Sequence, residues 1–408
     1  MRWGLVMMLG AAGLAGGQQT DVWDLPPLRY AETPATGRIA ELMERLEADP
    51  SLATGTDDLE RLSFVLDWLE VPESSQILVF SKTSKQIRRI TPDSPRAIYF
   101  SENHYVGYVP GGAIEVISQD PVLGPVFYLI EAGGPAGMRI DRDVSECFSC
   151  HGTTRTENVP GMLVRSVFPD GDGRPLLSLG SVTVDHTTPI GDRWGGYYVT
   201  GNSAIGHHGN RVFEEDESFR KLEPDRIDVS RYPRGTSDVV ALMVLEHQCL
   251  VHNLLNAASI RYNRAEWLAK VIDPHADPGT GQAGRIADAM AGKIVAALLF
   301  RGEADLGEGI EGSRDYQRDY AARFPKSSSG RSLADFRLYE RIFKHRCSCM
   351  VYSKAFDSLP PRVKEATLQL LRDSLETGEG PADHLPASER RKIVSILDDT
   401  LPAWRGKR

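Results

Sequence analysis

Cys147-Phe148-Ser149-Cys150-His151 is a run whose spacing suits one piece of chemistry. Two thiols three positions apart can reach the two vinyl groups on one porphyrin edge and form thioethers. The histidine that follows at once lies beneath the ring, where its imidazole can bind iron from the proximal side. With five cysteines and ten histidines in 408 residues, about 0.0015 matches of this form are expected by chance. The run predicts one covalently attached haem c, with Cys147 and Cys150 as attachment points and His151 as proximal iron ligand. Three other readings of the spacing stay open. A thioredoxin-like pair wants a βαβ context, which the flanking sequence does not show. A zinc site needs a second ligand pair at suitable spacing, and none follows. A Cys147–Cys150 disulfide is possible in an oxidising compartment.

A haem iron held from below by His151 leaves its sixth position to be settled, and that position decides between a closed electron carrier and an open reactive centre. His247 and His208 are the leading distal candidates, because imidazole is a common haem ligand. His247 sits in an apolar helical run with Met243 one turn earlier. His252, five residues on, is turned by about 140° and cannot easily face the same iron. His208 lies in the glycine-flanked loop Gly206-His207-His208-Gly209. Met162, after Pro160-Gly161, and His186, in Asp185-His186-Thr187, are weaker candidates. An open haem would also need an acid–base residue above the iron, for which His207, His208 and Glu246 qualify by type. Burial as ordinary core is the competing reading for Met162 and His247, and solvent exposure for His207 and His208.

Other features carry less. Cys249, Cys347 and Cys349 are an odd number, either small buried hydrophobes or one disulfide that includes Cys249. Trp194, Tyr197 and Tyr198 suit a haem edge or an ordinary sheet core. Gly279-Thr280-Gly281-Gln282-Ala283-Gly284 matches the dinucleotide fingerprint letter for letter, but it follows a proline-broken loop after a helix rather than a strand. It predicts a helix start.

The elements that must position these residues divide the chain in two. Residues 36–70 show helical spacing of Ile39, Leu42, Met43 and Leu46, then of Leu59, Leu62, Phe64, Val65 and Leu69. Short β-rich runs follow at 77–80, 97–100, 105–109, 114–117 and 126–130, punctuated by proline and glycine. Further strands are predicted at 163–168, 176–184 and 196–200. From residue 236 helices are predicted at 239–258, 285–300, 333–352, 361–376 and 388–400. Pro361 at the start and Gly378 just past the end frame the fourth of these. The expected fold is α+β: a helical segment over 20–72, a β-rich unit over 73–213 carrying the haem run, a charged linker over 214–235, and a mostly helical unit over 236–404.

Residues 1–19 read as a secretory signal, with Arg2, an apolar stretch from Leu5 to Ala15, and small residues before Gln18. That stretch is too short to span a bilayer, and no later segment is predicted to do so. The expected location is periplasmic or otherwise exported, which suits haem attachment. A net charge of −9 argues against nucleic acid, whose phosphates need a basic patch.

The Cys147–His151 run resembles that of the c-type cytochromes. The β-rich segment before it departs from small cytochrome c, which places the motif at the start of a helical domain. A strand leading into the run gives a weak likeness to PAS-like haem sensors. Over most of its length the chain is similar to a group of exported, uncharacterised bacterial proteins with one such motif. The matching stretches are Ile77–Ser84, Cys147–Gly152, Trp194–Gly201 and Leu242–Gln248. The resemblance implies the haem and the architecture, and no reaction. The expected role is one-electron transfer to or from a redox partner protein in the cell envelope. The alternatives are a peroxidase- or oxidase-like haem enzyme, and a haem-based redox or gas sensor.

Overall fold

The computed structural model describes residues 21–52, 57–133 and 137–405. The predicted signal lies outside the described residues. The fold is α+β. Six strands form one antiparallel sheet whose spatial order follows the chain. They are β1 (Ile77–Val79), β2 (Arg96–Phe100), β3 (His104–Tyr108), β4 (Ile114–Asp120), β5 (Gly124–Ala132) and β6 (Met138–Asp143). The first five answer to the predicted β-rich runs. The polar sequence of β6 hid it, and its alternating charges suit an edge strand that must not pair further.

The period-two alternation of the strands supplies both faces of the sheet with apolar residues. Leu78, Phe80, Tyr99, Val106 and Val116 share a core with Leu42, Leu62 and Val65. Those last three come from α1 (Arg38–Ala48) and α2 (Asp58–Trp68). Ile77, Val79, Phe100 and Tyr105 point the other way and share a core with the helical half. The β4–β5 turn closes on Gly124, at φ 75°. There Asp120 Oδ1 accepts from the amides of Val122 and Leu123 at 2.8 and 2.9 Å, the usual work of an aspartate in a turn.

After β6 the chain makes one helical turn, α3 (Phe148–His151), and then runs irregularly through a small hairpin of β7 (Arg165–Val167) and β8 (Ser181–Thr183). The predicted strand at 196–200 is absent. That stretch joins the sheet only at the bridge between Val79 and Tyr197, because Gly196 and Gly201 have positive φ and break extended pairing. The expected linker is packed rather than free. Leu222, Ile227 and Tyr232 belong to the sheet core, and the Tyr232 hydroxyl donates to the Pro95 carbonyl at 2.8 Å.

The helical half is built on α4 (Val239–Ile272), 34 residues long. Asp238 caps it, accepting from the amides of Val240 and Ala241. The helix runs fourteen residues beyond the predicted end at Ala258 and is long and apolar enough to cross a membrane, contrary to expectation. The most apolar stretch is 94% buried inside the protein, which is how a central core helix satisfies the same composition. Next come α5 (Gly281–Leu298), α6 (Arg314–Ala322), α7 (Lys354–Asp357), α8 (Pro361–Thr377) and α9 (Ala387–Thr400). The Gly279–Gly284 run opens α5 after a loop, as predicted. The helix predicted over 333–352 is instead a hairpin of Phe336–Tyr339 with Arg341–Phe343. Leu338 and Glu340 take φ of 55° and 63°, left-handed values that no helix interior accepts.

Candidate functional site

The Cys147–His151 run is fastened from both ends. Asp143, the last residue of β6, accepts through Oδ1 from the amides of Ser145 (2.9 Å) and Cys147 (3.2 Å), and through Oδ2 pairs with Lys85 Nζ at 3.0 Å. This sets where the turn begins. Phe148 anchors its inner side in an aromatic nest, with ring centroids 5.5 Å from Trp23, 5.2 Å from Tyr30 and 5.3 Å from Phe127. The helical turn puts Phe148 inward while Ser149 and Cys150 face solvent.

His151 and Gly161 are joined reciprocally. The Gly161 amide donates to the His151 carbonyl at 2.9 Å, and His151 Nδ1 lies 2.8 Å from the Gly161 carbonyl oxygen. A carbonyl can only accept, so Nδ1 carries the proton and Nε2 carries the lone pair. Nε2 takes no hydrogen bond from the described residues. The ring packs on Phe127 at 5.2 Å. Burial holds its pKa below the ordinary value, partly opposed by the Gly161 bond, so the imidazole is neutral near pH 7. Thr153 and Thr156 close the next turn with a capping box, and Thr156 Oγ1 also donates to the His151 carbonyl at 3.2 Å.

The helical half grips the loop that follows the run: Arg261 of α4 donates to the Glu157 carbonyl at 2.6 Å and pairs with its carboxylate at 3.0 Å, and Lys293 of α5 pairs with the same carboxylate at 3.4 Å. Asn253, midway along α4, accepts from the Met162 amide and donates to the Met162 carbonyl, both at 2.8 Å. A polar residue in a long apolar helix was the signal that sequence reading passed over. Gly161 is needed there because a Cβ would stand 2.4 Å from Asn253 Oδ1 and 2.9 Å from Thr156 Cβ.

The two thiols of the run are unpaired. Burial pushes the Cys147 thiol up to about 12, and Asp143 adds to this. Beside the run, Arg96 and Glu115 form an ion pair at 3.0 Å on the sheet face. Burial alone would raise Glu115, but Arg96, Ser84 and Gln86 hold its carboxyl below the usual range.

The remaining sequence candidates gather elsewhere. His247 is buried with both nitrogens engaged, Nδ1 against His186 Nδ1 at 3.1 Å and Nε2 against Ser348 Oγ at 2.7 Å, and its ring stacks on Phe300 at 3.9 Å. His186 Nε2 faces the Arg301 carbonyl at 3.4 Å. One proton order satisfies this chain: Ser348 donates to His247, His247 to His186, and His186 to the carbonyl. Burial holds His247 well below its ordinary value and His186 at about 4. Glu246 lies alongside, receiving Arg193 at 2.8 Å and the Trp194 indole at 2.8 Å. Burial raises Glu246 to about 7 despite Arg193. His208 is not in a free loop but packs between Phe168 (5.0 Å) and Phe213 (5.6 Å). His207 packs on Trp194 at 4.7 Å and accepts from the Gly209 amide. Met162 is buried, and its backbone amide and carbonyl are both taken by Asn253. Tyr198 donates to the Pro92 carbonyl and Tyr197 is core.

The structure therefore brings His247, His186 and Glu246 together, and among the described residues none of the three shares a hydrogen bond or ring contact with His151. Cys249, Cys347 and Cys349 are buried free thiols, with no disulfide among them. Among the described residues no cluster of three or more His, Cys, Asp or Glu is arranged for a bare metal ion. The chain matches no family model, no curated protein and no solved structure.

Proposed function

We propose that this chain is an exported mono-haem c-type cytochrome that carries one electron at a time in the cell envelope. The observation that carries the reading is the His151–Gly161 hydrogen bond at 2.8 Å. It fixes the tautomer and leaves Nε2 as the free donor, the arrangement a metal-ligating histidine needs. Two unpaired thiols on the same turn, one of them exposed, fit covalent attachment. The burial that keeps Cys147 protonated suits a sulfur that ends as a neutral thioether. When bound, haem c supplies a reversible Fe(II)/Fe(III) couple. The protein's part is to hold the imidazole neutral and oriented, through Gly161 in front of Asn253, and to seat the turn on Phe127 and Phe148.

The test is expression in a host that matures c-type haem. The purified protein is expected to stay coloured after denaturation and acidified-acetone extraction, with the mass of one added haem. The Cys147→Ser/Cys150→Ser variant is expected to lose pigment to the same extraction. A colourless wild type refutes the proposal.

A second reading has its own support. His247, His186 and His208 are committed to other partners. This favours a sixth position without a strong protein ligand, as in a haem enzyme or gas sensor. A high-spin spectrum that shifts with carbon monoxide selects it. A low-spin spectrum indifferent to carbon monoxide selects electron transfer.

A further inference from the structure

Most of α4 is core, but its outer face comes free near the end. Ile260, Arg264, Trp267 and Val271 are spaced four, three and four residues apart, so they follow one stripe of the helix. The first three line a groove of about 400 Å³, walled opposite by Val22, Pro26, Pro27 and Val122. Past the groove the last turn of α4 stands out as a ridge, with Leu268, Val271 and Ile272 39%, 59% and 83% exposed. Val22 and Val122 are 46% and 60% exposed. Single exposed apolar residues are ordinary, but five gathered around one groove mark a surface that something covers.

The charges here divide by position. Arg264 lies in the groove, stacked on Trp267 at 4.9 Å and donating to the Pro26 carbonyl, and it makes no ion pair among the described residues. Glu266 does not neutralise it, being spent on the Gly279 amide at 2.9 Å and on Lys270 at 3.6 Å. Asp273 and Asp277 stand exposed just past the ridge, also without an ion pair among the described residues. The hollow therefore carries a cation, and the projection ends in an acidic tip.

A ridge and a groove side by side, with opposite charges, are the two halves of a contact that a surface makes with itself. Arg264 and Asp273 lie four and five residues to either side of Leu268. A two-fold axis across Leu268 runs two α4 ends antiparallel. The ridge of each copy then enters the groove of the other, and each acidic tip comes over the other copy's Arg264. A small apolar ligand would fill the groove and leave Ile272 in water. An anionic bilayer surface would repel Asp273 and Asp277. We infer that this face joins two copies of the chain in an isologous dimer centred on the end of α4.

The experiment is sedimentation equilibrium of the mature protein over a range of micromolar concentrations, at low and high salt. The parent is expected to show the mass of a dimer that dissociates on dilution, and sooner at high salt, which screens the charged contacts. Ile272→Glu places a charge on the ridge at a side chain with little packing to lose. It is expected to keep the parent's circular dichroism and to sediment as a monomer where the parent is a dimer. Asp273→Arg/Asp277→Arg is expected to weaken the dimer at least tenfold. A parent that is monomeric throughout, or an Ile272→Glu variant that dimerises as tightly, overturns the inference. So does a monomeric parent that floats with phosphatidylglycerol vesicles, which would give the face to a bilayer.

Discussion

His151 Nδ1 stands 2.8 Å from the carbonyl oxygen of Gly161, ten residues further along the chain. The same glycine returns its amide to the His151 carbonyl. The pair closes a short loop that orients one imidazole, and Asn253 of α4 holds that loop from behind. Sheet, turn and central helix thus meet around this one loop.

Gly161→Ala tests the closeness of that loop. The new methyl would stand 2.4 Å from Asn253 Oδ1, so the loop or the helix must move. Overpacking of this kind costs roughly 1–3 kcal/mol. We expect a lower urea midpoint and, in pigmented protein, a displaced Soret band as the imidazole tilts. An unchanged midpoint together with an unchanged band would show that the loop yields freely.

Asn253→Ala removes both hydrogen bonds to Met162 and leaves a buried amide and carbonyl unpaired. Each orphaned group costs on the order of 1–3 kcal/mol. Amide exchange across residues 159–164 should speed up far more than exchange in β2–β5. If protection falls equally everywhere, Asn253 is only one more core contact.

Arg193 and Glu246 form an ion pair whose side chains are 1% and 0% exposed. Arg193→Met strands a carboxylate in the core, and breaking such a pair by one partner costs about 3–5 kcal/mol. Because burial already raises Glu246 to about 7, losing Arg193 raises it further, so the loss should grow from pH 5 to pH 8. Arg193→Met/Glu246→Leu should recover the part owed to the stranded carboxylate, though not the bonds lost by the Trp194 indole and the Thr188 and His186 carbonyls. A double variant no more stable than Arg193→Met would contradict this account.

Stability should fall as acid is added below neutrality. Burial holds His252 at about 3 and His186 at about 4, against an ordinary 6.5. Between those values the unfolded chain binds protons that the folded chain refuses. The stabilisation is therefore present above pH 6.5 and lost as pH falls, at about 1.4 kcal/mol per pH unit for each such histidine. Thermal unfolding from pH 7 to pH 4 reads the slope, and His252→Gln should flatten it. A midpoint constant between pH 7 and pH 5 is the contrary result.

Much of the fold was legible because it rests on local pattern. The strands from Ile77 to Ile130 alternate apolar residues at period two, and α4, α5, α8 and α9 repeat them at helical period. Pro361 and Gly378 marked their helix because capping needs only nearby backbone. The hairpin at 336–343 was not legible, since its left-handed turn residues are neither glycine nor asparagine. The polar edge strand β6 offered no apolar alternation to read.

By itself the amino-acid sequence determined that two thiols and an imidazole share one turn, because their spacing along the chain is covalent. Only the tertiary structure decided which imidazole nitrogen is free, since that depends on a carbonyl ten residues away. It also decided that His247 bonds His186 and Ser348, residues 61 and 101 positions distant. Helical period states which way a side chain faces, while its partner is chosen by packing between elements that the chain brings together only when folded.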